Sequence, residues 1–407
     1  MNKRPFKKKK IFDLIKKISL KNLGFEEINL SESEDRFLHK DIKSNINLPP
    51  FNNSAVDGYA LHKDSLIKNI ELKNSFKIVA GDFKKIYLTK NNAARIFTGA
   101  YMPINSKTVV MQENVKIKNK NFFLINRIPK YGENCRIKGE DIKKGKVILK
   151  SGDKVNSSNI NLIAAIGKKT IKVKKKLRVG YFTSGNELIE PSEKLKSSLI
   201  YNSNRYSLNS LLKKNYINSQ YLGILKDKEK HVREKILSNS KKYDVIITTG
   251  GASVGEEDHL INVLKKNGKI FFWKTAIKPG RPLAIGKIKE TIIICLPGNP
   301  VSVHLLYGMI IKPFFEYLCS SKLILPISIK AVSNFEMIKK TERLEWLRVN
   351  IDKKRSDQIY VDKFNKQGSG MISSIAYSDG ILEIPEKISK IKKGDKFDFY
   401  LFDNLFN

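Results

Sequence analysis

The segment from residue 241 to residue 306 constrains the fold most, because it holds two apolar runs that each end in a glycine-containing turn. The first run covers 243–249 and leads into a pair of glycines, and the second covers 291–296 and leads into Pro-Gly-Asn-Pro. Short β-branched runs without polar alternation are typical of buried parallel strands. The segment therefore predicts an open α/β sheet in which both runs are strands followed by helices.

The two turns fall where open α/β sheets bind ligands, at the carboxyl ends of the strands. Glycines there remove Cβ atoms, so backbone N–H groups can approach an anion, and a helix end adds partial positive charge. The stretch between the turns brings three cations beside them, namely Lys274, Lys278 and Arg281. Together these features predict a pocket for a phosphorylated small molecule.

The chain is strongly basic, with 77 Lys and Arg against 40 Asp and Glu and a formal net charge of +37. Most of the excess is lysine spread from end to end, together with abundant Asn and Ile, so we interpret it as compositional drift and expect no nucleic-acid partner. A nucleic-acid-binding protein is the alternative, and it would bind any DNA with a steep dependence on salt.

Cysteine usage and hydropathy predict a soluble, cytoplasmic protein. The three cysteines lack CxxC spacing, which favours a reducing compartment, and the five dispersed histidines form no zinc-type ligand set. Lysines interrupt the apolar residues after the basic N-terminus, so no signal peptide is predicted. No apolar run approaches the roughly 20 residues needed to cross a bilayer, and the longest, 301–311, is interpreted as a buried helix.

The remainder of the chain is long enough for additional domains, since a domain averages about 150 residues. Apolar residues at helical spacing predict a first amphipathic helix over 11–18. Short strands and glycine turns over 76–153 predict an all-β insertion, and a helix follows at 155–166. From 177 onward strands alternate with helices, which predicts a doubly wound sheet, and near 323 short strands resume and predict a separate β domain.

Several polar positions are, by themselves, typical of ordinary turns. Asp57 precedes Gly58, which is a tight-turn signal, and the segments 98–100 and 136–141 have loop composition. Asp244 comes just before a strand and is interpreted as a structural residue. None of these positions would indicate a function if it were met alone.

Eight motifs in chain order together resemble the molybdopterin molybdenumtransferase family, which performs the last step of molybdenum cofactor synthesis. The resemblance runs from about residue 8 to the end of the chain, and it depends on the order of the motifs more than on any one of them. The motifs are residues 53–60, 98–103, 136–141, 183–188, 250–258, 274–282, 297–302 and 367–370.

The resemblance implies a multi-domain α/β plus β subunit. The implied parts are an elongated N-terminal helical and β region at 1–45 and 143–172, an all-β insertion domain at 46–142, a central doubly wound α/β molybdopterin-binding domain at 173–322, and a small C-terminal β barrel at 323–407. It also implies a homodimer whose pocket draws on both subunits, and it makes the molybdopterin adenylyltransferase a candidate partner.

The reaction implied by the resemblance is the insertion of molybdenum from molybdate at the dithiolene of adenylylated molybdopterin. The phosphoanhydride to AMP is cleaved, and Mg²⁺ assists. The implied catalytic residues are Asp57, Thr98, Asp141, Glu187, Asp227, Asp258, Lys274 and Lys278. The implied substrate-binding residues are Arg136, Gly250, Gly251, Ser253, Gly255, Arg281, Pro297, Gly298 and Asn299. The implied molybdate residues are Lys278, Pro279, Ser302, Arg343 and Ser369, and the implied Mg²⁺ ligands are Glu187 and Asp258.

The chemistry of these residue types fits two anionic substrates. Backbone and hydroxyl donors in the glycine turn can bind phosphate, lysine supplies a point charge, and arginine supplies a two-pronged donor. Carboxylates beside anions make sense where they hold Mg²⁺, position water or transfer protons, since Mg²⁺ takes one or two carboxylates plus phosphate oxygens.

Individual assignments have plainer alternatives. Asp258 could be a helix N-cap, and Asp227 could lie in a surface turn. Asn186 stands where the family usually has an acidic residue, and Arg281 where it often has lysine, so the set of metal ligands is open. Arg348 lies near Arg343, but Arg343 is the better match to the family motif.

Two further functions compete with the transferase. A non-catalytic molybdopterin-binding or scaffold protein, as gephyrin-type relatives suggest, would keep the pocket and lose the chemistry. The adenylyltransferase of the same pathway shares the α/β domain, but it would lack the flanking β domains and the motif around Asp57. Length therefore argues against it.

Overall fold

The computed structural model describes residues 5–20, 23–67, 70–251, 259–339, 342–355 and 357–406. Within these residues the helices are α1 Lys8–Ile15, α2 Ser157–Ala165, α3 Ser203–Leu211, α4 Glu229–Asn239, α5 His259–Asn267, α6 Pro300–Leu306, α7 Lys312–Ser320, α8 Ser373–Ala376 and α9 Phe402–Phe406. Short 3-10 turns at Leu30–Glu32 and Gln112–Asn114 and a π-helical turn at Tyr307–Ile311 complete the helical elements.

The strands of the same residues fall into a central sheet, a sheet in the insertion, a C-terminal sheet and several two-stranded pairs. In chain order they are β1 Phe25–Asn29, β2 Ile42–Lys43, β3 Asn53–Ser54, β4 Gly58–His62, β5 Glu71–Ile78, β6 Asn92–Ile96, β7 Ser106–Met111, β8 Val115–Ile117, β9 Phe122–Ile125, β10 Cys135–Arg136, β11 Val147–Leu149, β12 Thr170–Lys174, β13 Leu177–Ser184, β14 Leu188–Ile189, β15 Ile200–Tyr201, β16 Ile217–Leu225, β17 Val245–Thr249, β18 Lys269–Trp273, β19 Ile277–Lys278, β20 Ala284–Ile288, β21 Thr291–Leu296, β22 Ile329–Ser333, β23 Met337–Ile338, β24 Leu344–Ile351, β25 Tyr360–Lys363, β26 Gly380–Ile384, β27 Lys390–Ile391 and β28 Lys396–Leu401.

The central sheet has the strand order β16-β13-β17-β21-β20-β18. The two apolar runs of the sequence are β17 and β21, and they pair in parallel with Val245 opposite Ile292. The last two strands are not among the predicted ones, and they are antiparallel: β20 to β21 and β18 to β20. Only two residues separate β20 from β21, and so short a connection permits only antiparallel pairing.

Helices cover both faces of this sheet, because successive side chains of a buried strand point to opposite sides. Val245 and Ile247 pack in one core with residues of α1, α3, α6 and α7, and Ile246 packs in another with residues of α4 and α5. The region is therefore doubly wound, as predicted. The predicted buried helix at 301–311 is α6 with the π-helical turn, and nearly all its residues are buried.

The first helix is shorter than its apolar spacing predicts. Helix α1 ends at Ile15, because Lys17 N–H donates to Leu14 O and Ile18 N–H donates to Ile15 O, which tightens the chain into 3-10 turns. Ile18 is nevertheless buried and still packs in the same core as the helix.

The insertion is all-β, with the strand order β7-β4-β6-β5-β9-β8. Gly58 lies where β4 and β7 are closest, since a Cβ there would be 2.0 Å from Val110 O. The pairs β1–β12 and β2–β11 join the segments that precede the insertion to those that follow it, and β3–β10 joins the two ends of the insertion itself.

The C-terminal strands close into a small barrel, as predicted. They follow the order β24-β25-β22-β28-β26, and β26 pairs with β24 again to complete the ring. Strand β19, which lies between the two glycine turns in the sequence, pairs in parallel with β24 and joins the α/β region to the barrel. The domain boundaries given above stay predictions.

Candidate active site

A cavity of about 390 Å³ opens at the carboxyl edge of the central sheet, beyond the ends of β13, β17 and β21. Both glycine turns contribute to its wall, so the place predicted for a ligand exists as a cavity. No lysine or arginine is among the described residues that line this sheet-edge cavity. The described lining residues are Ser184, Glu187, Leu188, Ile200, Tyr201, Asn202, Ser203, Asn204, Gly250, Gly251, Pro282, Pro297, Gly298, Asn299 and Pro300.

The first glycine turn of the cavity wall is required by its backbone geometry. Gly250 and Gly251 have φ of +82° and +69°, which side chains rarely adopt. A Cβ on Gly250 would lie 2.6 Å from Ser184 O, whereas one on Gly298 would lie at an ordinary contact distance of 3.6 Å from Gly250 Cα. The chain after β17 can therefore approach the end of β13 this closely only without a side chain at Gly250.

The opposite wall comes from the start of α3, which the sequence did not indicate as part of the site. Asn202 is buried and accepts from Arg205 N–H as the N-cap, while its Nδ2 donates to Thr183 Oγ1 at 2.9 Å. Asn204 Nδ2 donates to Gly298 O at 2.7 Å, which joins α3 to the second glycine turn. Helix caps of this kind are too common to single out a ligand site from sequence.

Two of the predicted carboxylates lie on neighbouring loops at the cavity. Glu187 lines it and folds back toward Gly185, where an added Cβ would be 2.3 Å from Glu187 Oε2. Asp227 Oδ1 accepts from Ser184 Oγ at 3.4 Å, so Asp227 contacts a residue of the cavity wall without being a lining residue itself. The structure thus brings both carboxylates to one edge of the sheet.

Three predicted residues, Ser253, Gly255 and Asp258, lie outside the described residues. Their assignments stay predictions.

Three cations lie where β19 meets the barrel, and we call Lys278, Arg281 and Arg343 the cationic seam. Lys278 Nζ lies 3.2 Å from Oε1 of Glu345, whose side chain is buried on β24. Burial lowers the pKa of Arg343, and the nearby charge of Arg281 lowers it further. Pro279 is buried within this seam, and Pro282, one residue after Arg281, lines the cavity.

The remaining molybdate candidates converge on the same junction. Val301 N–H at the start of α6 donates to Ser369 O at 3.3 Å, so the loop carrying Ser369 lies against the turn that carries Ser302. Gly280, two residues after Lys278, packs against α6, because an added Cβ would lie 2.8 Å from Leu306 Cδ2. Elements from three parts of the chain therefore meet beside the cavity.

Lys274 makes its described contacts at the end of β18 and not with the barrel. Its ammonium lies 4.2 Å from the centroid of the Trp273 ring, and Lys274 is not among the described residues that line the cavity. Its backbone adopts φ of +70°, and its carbonyl accepts from Phe6 N–H at 2.9 Å. In this structure Lys274 thus fixes the end of β18 and stacks on an aromatic ring.

Comparison with known proteins gives matches along most of the chain. Residues 8–167 match the MoeA N-terminal region (domain I and II), residues 180–317 a probable molybdopterin binding domain, and residues 330–402 the MoeA C-terminal region (domain IV). The molybdopterin molybdenumtransferase of Haemophilus influenzae is 34% identical over 382 residues, which cover 93% of this chain and 94% of that protein.

The chain belongs to the molybdopterin molybdenumtransferase family. A structure of the molybdopterin biosynthesis MoeA protein from Pyrococcus horikoshii OT3 is 27% identical, covers 98% of this chain and all of its own, and superposes with a TM-score of 0.82. Gephyrin of Dictyostelium discoideum is 29% identical over 92% of this chain, which corresponds to 59% of that protein. The family and the enzyme class predicted from the motifs are confirmed.

The other motifs of the molybdenumtransferase family form a second group, which we call the insertion cluster (Asp57, Thr98, Arg136 and Asp141). Thr98 N–H and Thr98 Oγ1 both donate to Asp57 Oδ1 at 2.8 Å. These hydrogen bonds hold the pKa of Asp57 below its ordinary value, and the bond from the N–H has the larger effect. Arg136 pairs with Asn53 across β10 and β3, and Asp141 N–H donates to Leu48 O at 3.1 Å. No member is among the described residues that line the cavity.

The part of the chain that the structure describes contains no group of three or more His, Cys, Asp or Glu side chains placed to hold a metal ion. Among its helices, none combines the length and apolarity that crossing a membrane would require.

Proposed function

We propose that the chain transfers molybdenum from molybdate to adenylylated molybdopterin and releases AMP, as a step of molybdenum cofactor synthesis in the cytoplasm. The family names support the pathway. The observation that carries the proposal is the junction between the sheet-edge cavity, which has no lysine or arginine among its described lining residues, and the cationic seam beside it. A substrate whose phosphate-bearing end binds backbone donors in the cavity, and whose other end meets an oxyanion at the seam, fits that division.

The nucleotide end of the substrate is placed at the glycine turns. Backbone N–H groups without neighbouring Cβ atoms can approach phosphate oxygens at Gly251 and Gly298, whereas the Gly250 N–H already donates to Leu296 O at 3.1 Å. The amide-rich wall formed by Asn202 and Asn204 suits the polar edge of a heterocycle, because amides donate and accept without adding charge. The cavity then positions the phosphoanhydride for cleavage and holds the dithiolene toward the seam.

Molybdate is placed at the seam, because a dianion needs fixed cations and donors. Lys278 and Arg343 would neutralise the oxyanion, with Arg343 as the two-pronged donor, and Ser302 and Ser369 are polar residues of the same junction. Glu345 fixes the Lys278 ammonium in place through their contact at 3.2 Å. The two dithiolene sulfurs would bind molybdenum there, and their protons would leave with one displaced molybdate oxygen as water. A water molecule would cleave the phosphoanhydride bond, so that AMP leaves.

Magnesium is the implied divalent ion, and the described residues fit it. Mg²⁺ binds through one or two carboxylates plus phosphate oxygens, so a full protein cage is not expected. Glu187 lines the cavity beside the glycine turns, and Asp227 reaches the same wall through Ser184, so these residues would hold it together with substrate phosphates. Bound there, Mg²⁺ would supply charge neutralisation for the phosphates. The predicted ligand Asp258 stays part of the proposal.

A homodimer is part of the proposal, because the insertion cluster carries family motifs but does not line the cavity of its own chain. A second copy could bring Asp57, Thr98 and Arg136 to the cavity of the first. The molybdopterin adenylyltransferase is the class of enzyme that would supply the adenylylated substrate.

The test is a single-turnover reaction with adenylylated molybdopterin, Mg²⁺ and molybdate, in which released AMP is measured by chromatography. We expect AMP release to require molybdate and to fall roughly 100-fold in Lys278→Ala, because a fixed cation at the reacting anion is lost. Asp258→Ala is expected to be similarly impaired. Lys330→Ala is the control, since Lys330 pairs with Asp398 on the barrel surface.

Two results would contradict the proposal. AMP release that does not respond to molybdate would exclude coupling between the two halves of the site. Tight nucleotide binding without any AMP release would favour the binding or scaffold protein, in which the pocket is kept and the chemistry is absent.

A further inference from the structure

Arg348 is the one arginine among the largest fully buried side chains of the described residues, with 1% of its surface exposed. It lies on β24, five residues after Arg343 of the seam. Its guanidinium donates to Ser374 Oγ at 3.1 Å, to Trp346 O at 3.1 Å and to Gly368 O at 3.2 Å. One buried charge therefore joins the barrel strand to the loop that carries Ser369.

The backbone of Arg348 holds the same loop from its other end. Arg348 N–H donates to Gln367 Oε1 at 3.0 Å, and Gln367 Nε2 donates to Arg348 O and to Phe364 O, both at 2.8 Å. The side chain and the backbone of one residue thus fix Gln367 and Gly368, which come directly before Ser369.

The loop in turn lies against the α/β region. Ser369 O accepts from Val301 N–H at 3.3 Å, and Ser302 follows Val301 in the first turn of α6. Ser374 Oγ also donates to Met371 O at 2.7 Å, so the far side of the loop is tied to the hydroxyl that Arg348 contacts. A displacement of Gly368 would therefore move Ser369 relative to Ser302.

Stability alone does not explain a guanidinium at this position. Its three acceptors are neutral oxygens, and burial lowers its pKa to about 10, with the charge of Glu345 opposing the shift. Burying a charge costs desolvation free energy that hydrogen bonds only offset, so an apolar side chain of similar volume would often be as stable. A rigid, multiply donating group is more useful where geometry must be fixed.

We propose that Arg348, together with Gln367, is a positioning residue for the oxyanion subsite: it fixes the Ser369 loop against the first turn of α6. The inference rests on the proposed function, because it takes the junction of Ser302, Ser369 and Arg343 as the molybdate site. Arg343 contacts the anion in this arrangement, whereas Arg348 acts from behind the loop and never touches substrate.

The test compares Arg348→Lys with Arg355→Lys. Lysine keeps the charge but lacks the planar guanidinium whose separate N–H groups donate to Gly368 O and Ser374 Oγ at the same time. Arg355 is an exposed arginine beyond the end of β24, paired with Asp352, so it controls for the exchange itself. We expect the KM for molybdate to rise about tenfold in Arg348→Lys, as for the loss of one or two hydrogen bonds from a charged donor. The affinity for adenylylated molybdopterin measured without molybdate should stay within twofold of wild type.

A second variant and two physical readouts keep the inference testable if Arg348→Lys folds poorly. Gln367→Ala removes the side-chain hydrogen bonds to the backbone of Arg348 and Phe364 at a partly exposed position. Like Arg348→Lys, it is expected to weaken molybdate binding. Calorimetry with molybdate alone measures that binding without turnover. Hydrogen exchange of residues 364–372 should become faster in both variants and remain unchanged in Arg355→Lys.

The outcomes separate this inference from the proposed function. Wild-type chain that binds molybdate, with both loop variants binding it equally well, would overturn the positioning role alone. Equal losses in molybdate and nucleotide affinity would also overturn it, because they would indicate a general structural defect. Wild-type chain that binds no molybdate would overturn both the oxyanion subsite and the positioning role.

Discussion

The sheet-edge cavity and the insertion cluster both carry family motifs, but they are built in different ways. The cavity is enclosed by backbone: Gly250 approaches Ser184 O, and the buried amide of Asn204 closes the far side. In the insertion cluster Thr98, Arg136 and Asp141 are exposed, and Asp57 is held by two hydrogen bonds from Thr98.

The difference indicates what each region requires. A cavity whose walls come from one chain can bind a ligand by itself, and its shape depends on the absence of side chains. An exposed cluster with one pre-oriented carboxylate has no enclosing wall of its own, so we propose that it acts against a second surface. This contrast is the structural basis for expecting that the insertion cluster acts on the cavity of another copy.

The largest effect is expected from Gly250→Ala, which changes the wall of the cavity. The new Cβ would lie 2.6 Å from Ser184 O, a backbone atom that cannot rotate away, so the strand ends must move apart. We expect kcat/KM to fall roughly 100-fold, since a misplacement of about 1 Å at a site has effects of that size. Single-turnover AMP release and nucleotide binding by calorimetry measure the loss.

Gly145→Ala separates the steric effect from backbone strain. Gly145 has φ of +89° but nothing within 4 Å of an added Cβ, so the change introduces only the strain of a left-handed backbone, about 1–2 kcal/mol. Its activity should match wild type at temperatures where it is folded. If both variants lost activity equally, the close approach at the cavity would not be the cause.

Thr98→Ala, with Thr98→Ser as the control, tests whether Thr98 sets the pKa of Asp57 in the insertion cluster. The alanine keeps the N–H donor to Asp57 and removes the hydroxyl donor, so the pKa of Asp57 should rise toward its ordinary value. Because the lowered pKa favours the ionised carboxylate, any contribution from that form is present above the ordinary pKa and is lost as the pH falls through the lowered one. In the variant this loss should begin at higher pH.

Carboxyl ¹³C chemical shifts during an acid titration would report the pKa of Asp57 directly, and the acidic limb of the activity profile would report its use. Thr98→Ser should leave both where they are in the wild type. A carboxylate that titrates identically in the alanine variant would mean that Thr98 does not hold it. A shifted pKa with an unchanged activity profile would remove Asp57 from the reaction.

Much of the fold followed from local patterns. The runs at 243–249 and 291–296 are β-branched and uninterrupted, and they became adjacent buried strands because only such runs tolerate burial on both faces. The glycine turns were informative for the same reason, since Gly250 sits at a φ that other residues avoid. Patterns of this kind are local, so the sequence shows them directly.

The features that the sequence did not show are contacts between distant segments. Asn204 looks like any polar residue near a helix cap until its bond to Gly298 O, 94 residues away, is seen. The pairing of β19 with β24 has only two residue pairs, which is too short for any periodic signal. The burial of Arg348 is also invisible in the sequence, where Arg343 is the better match to the family motif and nothing distinguishes a buried arginine from an exposed one.

The smallest effect is expected at the opposite edge of the central sheet, where Asp244 provides a baseline for Asp57. Asp244 also accepts several hydrogen bonds, from Arg178 N–H at 2.9 Å and from the guanidinium at 3.2 and 2.7 Å, and this raises the pKa of Arg178. We expect Asp244→Asn to lower the free energy of unfolding by about 0.5 kcal/mol, since the Arg178 side chain is 54% exposed and solvent screens the pair. Turnover should be unaffected, because this edge lies away from the cavity.

Denaturant unfolding of Asp244→Asn, Arg178→Gln and the double variant would give the coupling free energy, and AMP release would be measured on the same samples. Coupling near the expected value with unchanged turnover would mean that hydrogen bonds to a carboxylate are not, by themselves, a mark of function in this fold. The assignment of Asp57 would then depend on its pH profile alone. A loss of turnover in Asp244→Asn would show instead that a change at one end of β17 affects the cavity at the other end. The cavity would then depend on the whole length of β17 and not only on the glycine turn that follows it.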